Sequence, residues 1–359
     1  MRDPSIVCLA ALALFAATPA GAQVRERRLG ASREAAAAYS DISAARVLSD
    51  GRILVYDAKE QALHLVDLER GTQKSLGSVG SGPGEFRRAT ALLPARGDTT
   101  WLVDAGNRRL LVVAPDGSLP ATVTAPEGVP LAQAGGGDGA GNLVAVTAMF
   151  EGSTFAGKAP DSVRLVRVNV ASLRVTPVTP LAAPQTKIHI KQTGTRIESV
   201  EVVRMPFAVG EPFGVAPGGR VAIARRAPYR LDQVMADGRV VRGPVIPVTS
   251  IPVGDAEREE YLATLLRRPA PEALEWPETL PPFPPQSVVA LANGETWVRR
   301  HVTARRDSTW YDILDARGAA VARLVLPKRV RILTVTARGA YVARADDDGL
   351  VHLELAAVR

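Results

Sequence analysis

The sequence predicts an all-β protein, a six-bladed β-propeller, and three observations support this prediction. First, a glycine in a tight turn precedes a short β-rich run six times, at spacings of 46, 44, 78, 75 and 45 residues; these glycines are Gly51, Gly97, Gly141, Gly219, Gly294 and Gly339. Second, a repeat of about 40–50 residues is typical of a propeller blade with four strands. Third, the first two repeats match in register, since Asp57 and Asp104 are 47 residues apart.

Residues 1–22 have the pattern of a secretory signal peptide. Arg2 precedes an apolar run too short to span a bilayer, and Ala20-Gly21-Ala22 forms a small-x-small cleavage site. The single cysteine, Cys8, lies in this segment, so the mature chain 23–359 has no disulfide or thiolate metal site. No later stretch is apolar over the ~18 residues that a membrane span needs. We therefore expect an exported monomer, periplasmic or secreted, without a membrane span.

The first repeat illustrates the four strands of a blade. The runs "ISAARVLS", "RILVYDA", "ALHLVDL" and "TQKSL" have strand length and apolar clustering, and Asp50-Gly51 and Arg70-Gly71 mark hairpin turns between them. The inner strands of the six blades are predicted at 42–49, 89–95, 130–137, 213–217, 286–292 and 331–337. This order places the inner strands around a central channel.

Two spacings are longer than a blade by about 30 residues, which is too few for another four strands. We therefore predict insertions at 149–162, 182–212 and 249–285. The second reads as a β-hairpin that turns at Gly194, and the third as a helix, "DAEREEYLATLLRR", followed by a proline-rich segment. Because strands alternate in direction, all three insertions are expected on the same face of the propeller, which we call the insertion face.

The last repeat predicts how the ring closes. After Gly339 only two further strands fit before the chain ends at Arg359. The mature N-terminus, residues 23–30 with the sequence "QVRERRLG", ends in the Leu-Gly that also closes the first blade. We expect this segment to pair with the sixth blade as its outer strand, so that no inner edge stays unpaired.

Two motifs resemble a known family. "GSGPGEF" at 80–86, followed by "WLVDAGNRRLLVVAPDG" at 101–117, is similar to the strand pair of NHL-repeat and six-bladed β-propellers of exported bacterial proteins, an architecture of the TolB-like superfamily. The resemblance implies a binding platform more often than an enzyme, although lyases and lactonases share the fold. It also implies that Glu85, Asp104, Asn107 and Arg108 fix loops. A strand follows the glycines where a phosphate-binding loop needs a helix, so the sequence favours a scaffold role.

The sequence predicts no catalytic, cofactor-binding or metal-binding residues. The six inner strands contain no His, Cys, Asp or Glu, whereas acid–base or metal chemistry in the channel needs such groups close together. The four histidines are scattered, and Asp346-Asp347-Asp348-Gly349 lacks the spacing and the distal Glu of a calcium loop. We therefore expect no cofactor, and enzymatic activity is uncertain but not favoured.

Arginine dominates the charge of the chain. The formal net charge is +7, and only six of the 44 basic residues are lysine, but no nucleic-acid motif accompanies this excess. An anion-binding patch is predicted on the insertion face, because arginines of the fourth and fifth blades lie in its links; its residues are Arg225, Arg226, Arg230, Arg299, Arg300 and Arg305.

The predicted function is that of a non-catalytic binding or scaffold protein with an anionic partner, such as an acidic glycan or an acidic protein surface. Two alternatives are open. The arginines can instead pair with local acids inside the scaffold, or the protein can be a lyase or lactonase that acts on a sugar acid or lactone.

Overall fold

The computed structural model describes residues 24–359 except 125–130, 132–133, 148–159, 194–195 and 266–273. The predicted signal peptide lies outside the described residues. The chain enters with β1 (Arg25–Arg27) and β2 (Leu29–Tyr39), which end up in two different blades. No helix of the described residues is long and apolar enough to cross a membrane.

Six antiparallel sheets follow, each numbered as a blade from its inner strand outwards. Blade 1 comprises β3 (Ile42–Val47), β4 (Ile53–Asp57), β5 (Ala62–Asp67) and β6 (Thr72–Leu76). A short parallel pair, β7 (Ser78–Val79) and β8 (Glu85–Phe86), leads to blade 2, which comprises β9 (Ala89–Pro94), β10 (Thr100–Asp104), β11 (Arg109–Val113) and β12 (Ala121–Thr124). Blade 3 comprises β13 (Ala134–Gly137), β14 (Asn142–Val146), β15 (Ser162–Asn169) and β16 (Val175–Ala182).

A separate hairpin, β17 (Thr186–Thr193) and β18 (Arg196–Arg204), precedes blade 4. Blade 4 comprises β19 (Phe213–Val215), β20 (Val221–Arg226), β21 (Tyr229–Val234) and β22 (Val240–Arg242). The helix α1 (Asp255–Ala263) lies between blades 4 and 5 in the chain. Blade 5 comprises β23 (Val288–Ala290), β24 (Thr296–Arg299), β25 (Ser308–Leu314) and β26 (Ala320–Pro327). Blade 6 comprises β27 (Val330–Thr336), β28 (Gly339–Ala345) and β29 (Val351–Val358).

The core of the protein lies between the blades. The second strand of each blade buries both faces, because alternate side chains point to opposite neighbours. In β10, Trp101 and Val103 pack against blade 3, whereas Leu102 packs against blade 1. Comparable apolar clusters join every pair of successive blades, including blade 6 to blade 1. The predicted six-bladed ring is therefore confirmed.

The N-terminal segment closes this ring, as predicted, but with different residues. Strand β2 pairs antiparallel with β29, so that Leu29 lies opposite Val358 and Tyr39 opposite Val351. Residues 25–27, which the sequence assigned to blade 6, instead pair in parallel with β26 of blade 5. Apolar burial explains the difference, because Ala35 and Tyr39 of β2 enter the cluster between blades 6 and 1. The arginine-rich segment before them carries no apolar side chain for that cluster.

Candidate functional site

Two carboxylates of the helix α1, Glu257 and Glu260, attach it to the links on the insertion face of blade 5. Glu257 accepts hydrogen bonds from the backbone N–H of Gly254 (3.1 Å), at the start of the helix, and of Ala304 (3.0 Å), in the link between β24 and β25. The Ala304 N–H is also the main cause that lowers the pKa of Glu257. Lys328, in the link to blade 6, forms an ion pair with Glu260 at 2.8 Å. The helix therefore lies over blade 5 and the start of blade 6.

The segment around α1 returns to the propeller through a short ladder. Leu280 donates its N–H to the carbonyl of Ile251 at 2.8 Å, and Val253 donates to Glu278 at 3.0 Å. Beyond this ladder, Phe283 is fully buried in the cluster between blades 4 and 5, where its ring meets the edge of Tyr229. The base of this segment is thus part of the core, and the helix projects from it.

A pocket of about 340 Å³ opens between α1 and blade 5. One wall is aromatic. The ring centroids of Phe207 and Tyr261 are 4.9 Å apart, and the ring of Trp276 contacts both of these rings. The floor belongs to blade 5 and its links. The lining residues that carry charge are Glu257, Glu260, Arg299, Arg300 and Lys328, with His301 between them. This concave site is formed by described residues of α1, blade 5 and the links next to them.

Phe207 occupies an unusual backbone conformation in the pocket wall. Its φ angle is +55°, in the left-handed region that bulky residues rarely adopt. Such conformations cost about 1–3 kcal/mol and persist where the surroundings enforce them, often at ligand sites. Here the ring is held between Tyr261, Trp276 and the edge of His301. The link between blades 3 and 4 therefore holds Phe207 in an unfavourable backbone conformation that places its aromatic ring in the pocket wall.

His301 is a neutral side chain in this environment. Its Nδ1 lies 2.8 Å from the carbonyl oxygen of Pro281, which can only accept, so Nδ1 carries the proton. Burial lowers the pKa of His301 to about 4, and the positive charges of Arg299 and Arg300 act in the same direction. At neutral pH the imidazole is thus an uncharged group with little basicity.

Of the six arginines predicted as an anion patch, the structure places three in blade 4. Arg225 forms ion pairs with Glu211 (2.5 Å) and Asp232 (2.9 Å), and Arg230 forms one with Asp232 (2.9 Å). Arg226 donates to the backbone carbonyl of Val209 at 2.9 Å. These three guanidinium groups therefore have acceptors within the chain, and their predicted role towards an external anion stays a prediction.

The other three lie in blade 5 and differ from one another. Arg300 is buried, forms an ion pair with Asp312 at 2.6 Å and stacks over Tyr229. Arg305 is exposed in the link between β24 and β25. Arg299 lines the pocket, and its Nε atom is buried without a hydrogen-bond partner. Of the six, the structure therefore brings Arg299 and Arg300 together in one pocket, and of these two only Arg299 has no ion pair among the described residues.

The aromatic wall was not predicted as a site from the sequence. Tyr261 appeared only within the predicted helix, and His301 only as one of the four scattered histidines. Tyr261 and Trp276 lie in the same predicted insertion, 249–285, so the sequence indicated that they could be close together. Phe207 lies in a different predicted insertion, 182–212. Leu266, Arg267 and Arg268 of the predicted helix lie outside the described residues, as do residues 149–159 of the first predicted insertion.

The glycine-rich segment at 77–86 belongs to the scaffold. The carboxylate of Glu85 accepts the N–H of Gly82 at 2.7 Å, and Gly80 donates its N–H to the carbonyl of Phe86. A carboxylate of the chain therefore occupies the position that a phosphate would need. Arg109 joins this loop to Asp104 at 2.9 Å and also donates to the carbonyl of Glu85.

Asn107 takes part in the same arrangement, since its side chain donates to Asp104 at 2.8 Å and to Gly80. The loop-fixing arginine is Arg109 rather than Arg108, which has a φ of +54° in the turn. The other residues expected from the motif to fix loops, Glu85, Asp104 and Asn107, do form these hydrogen bonds. Among the described residues, no group of three or more His, Cys, Asp or Glu side chains is placed to hold a metal ion.

The fold and this site define a six-bladed β-propeller with one built-up face. The chain matches no protein-family model and no curated protein sequence. It is similar in structure to a member of the DUF4221 family from Bacteroides vulgatus, with a TM-score of 0.53 and 7% identity over 94% of this chain and 99% of that one.

A second similar structure is a protein from Bacteroides fragilis that is predicted to be exported, with a TM-score of 0.51 and 12% identity over 93% of this chain and 95% of that one. Virginiamycin B lyase from Staphylococcus aureus is less similar, with a TM-score of 0.43 and 10% identity over 92% and 99%. At these identities the comparisons establish the fold alone.

Proposed function

We propose that the protein is an exported binding protein that holds a small organic molecule in the pocket between α1 and blade 5. The observation that carries this proposal is the aromatic wall, in which Phe207 is kept in a costly conformation against Tyr261. The pocket volume of about 340 Å³ lies in the range of small-molecule sites, which are mostly apolar with a few polar groups. Export is proposed from the signal-peptide pattern at residues 1–22.

The state of the polar groups supports binding over acid–base catalysis. Glu257 accepts two backbone N–H groups, and Glu260 is paired with Lys328. His301, with a pKa of about 4, is poorly matched to proton transfer near neutral pH. A lyase or lactonase would need a free acid or base here, and these side chains are already engaged.

The proposal is tested by a variant in which a bulky side chain blocks the pocket. Thr264 is exposed, follows the last turn of α1 and lines the pocket, so Thr264→Trp fills the cavity without disturbing the core. Ala263→Trp is the matched control, because Ala263 is exposed on the same helix but does not line the pocket. We expect aromatic fragments of a diverse library, detected by saturation-transfer NMR, to bind the wild type and the Ala263→Trp variant.

The same fragments should lose binding to the Thr264→Trp variant by at least about tenfold. Fragments that bind all three proteins equally would place the binding site elsewhere and would contradict the proposal. Thermal melting of the three proteins shows whether they are equally folded.

A further inference from the structure

Of the two arginines that line the pocket, Arg299 and Arg300, only Arg299 has no ion pair among the described residues. It ends β24, opposite Tyr311 of β25, and its side chain lines the pocket. Its neighbour Arg300 is paired with Asp312, and Lys328 with Glu260. No carboxylate of the described residues forms an ion pair with Arg299, and its buried Nε–H has no acceptor there.

The charge of Arg299 also acts on its neighbours. Burial lowers the pKa of Arg331 and of His301, and the charge of Arg299 contributes in the same direction at both groups. Asp41 opposes this shift at Arg331, and Glu260 opposes it at His301. A buried donor without an acceptor costs about 1–3 kcal/mol, and more when it is charged. Within the described residues, the Nε–H of Arg299 is therefore a donor in the pocket wall that a bound molecule can satisfy.

We propose that the molecule bound in the pocket carries a carboxylate that pairs with Arg299, while its apolar body lies against Phe207 and Tyr261. This inference rests on the proposed function and adds the chemical class of the ligand. A guanidinium group binds a carboxylate through two parallel hydrogen bonds, for which its flat donor fork is well suited.

The other cations at the pocket favour a single negative charge on the ligand. Lys328 donates to the carbonyl of Ala304 in addition to its ion pair, and Arg331, which does not line the pocket, donates to the backbone carbonyl of Ile42. Arg300 is engaged by Asp312 and by the carbonyl of Pro282. A phosphate dianion would need a second free cation, which these residues do not offer.

The test uses matched probes that differ only in the acidic group. We expect 1-naphthylacetate to bind the wild type at least about tenfold more tightly than 1-naphthylacetamide, measured by titration calorimetry or NMR. In the Arg299→Met variant the two probes should bind within about twofold of each other, at the affinity of the amide for the wild type. Arg317→Met, which changes an exposed arginine in the turn between β25 and β26 of the same blade, should keep the preference for the acid.

A second readout separates ligand binding from a structural role. Arg299→Met removes a cation that has no ion pair and a buried Nε–H that has no acceptor, so we expect its melting temperature in the absence of ligand to equal or exceed that of the wild type. A melting temperature that falls by several degrees would show that Arg299 is a structural residue and would overturn the inference.

The remaining outcomes are also decisive. Equal binding of acid and amide by the wild type would reject the carboxylate and leave the proposed pocket intact. Tighter binding of 1-naphthyl phosphate than of the acid would reject the assignment of a single charge. If neither naphthyl probe binds and the fragment library also finds no pocket ligand, the proposed function itself fails.

Discussion

At the scale of single residues, many arginines of the propeller form hydrogen bonds that join neighbouring blades. Arg46 of blade 1 donates to the carbonyls of Gly97 and Thr99 in blade 2, and burial lowers its pKa to about 10. Arg220 of blade 4 reaches Leu291 (2.8 Å) and Thr296 (3.1 Å) in blade 5. The five donors of a guanidinium group can bridge several carbonyls at once, which a lysine cannot do. This use explains much of the arginine excess.

The pH dependence of stability is predicted to depend on His301. Its folded pKa of about 4 lies below the ordinary value of 6.5, so the unfolded chain binds the proton more tightly. The stability contributed by the neutral imidazole is therefore present above pH 6.5 and is lost as the pH falls towards 4, by about 3 kcal/mol in all. His301→Gln should be clearly less sensitive to acid between pH 7 and pH 4 in urea denaturation.

His352 provides the matched control for this prediction. Its hydrogen bonds to Asp346 and Glu34 raise its pKa, so its contribution is present at low pH and is lost as the pH rises. His352→Gln should therefore change the stability curve above pH 6.5 rather than in the acid limb, unlike His301→Gln. If both variants follow the wild-type curve, the imidazole of His301 is not buried as described.

At the scale of elements, β2 is the strand on which the closed ring depends. It covers β29, places Ala35 and Tyr39 in the cluster between blades 6 and 1, and pairs Glu34 with Arg344 at 2.9 Å. Strand β1, in contrast, adds only three residues to the edge of blade 5, together with the ion pair of Arg27 and Glu295 at 3.0 Å. The two strands are adjacent in the chain but differ greatly in what they bury.

Two truncations of the mature chain test this difference. Removal of residues up to 39 should cost several kcal/mol, because a buried strand and its ladder are lost and β29 becomes an open edge. Removal of residues up to 28 should cost only about 1–2 kcal/mol. Guanidinium denaturation measures both values. Equal stability of the longer truncation and the full mature chain would show that β2 is not the closing strand.

At the scale of the whole molecule, the predictable part of the structure is the part that repeats. Asp57 and Asp104 end the second strands of their blades, as the matching spacing of the first two repeats indicated. The positions match because the second strand of each blade packs against both neighbouring blades in the same way. The prediction that an N-terminal segment closes the ring is confirmed, but the closing strand is β2 rather than residues 23–30. The small residues of β2 show little apolar alternation, so the sequence did not indicate a strand there. The pocket does not repeat, and Phe207, Tyr261 and His301 come from separate links that only the folded ring brings together. Pairings such as Arg225 with Glu211 likewise depend on that ring.

The propeller and its insertion face are expected to be separable, since the six inter-blade clusters contain no residue of α1. Replacement of residues 255–276 by a short Gly-Ser linker keeps the ladder of Val253 and Leu280 and the buried Phe283. It removes Tyr261, Trp276 and the buried Leu262. We therefore expect one cooperative melting transition, lowered by only about 5 °C, together with complete loss of binding of 1-naphthylacetate. A variant that binds the probe as the wild type does would place the site in the propeller itself, and one that no longer folds would make α1 part of the scaffold.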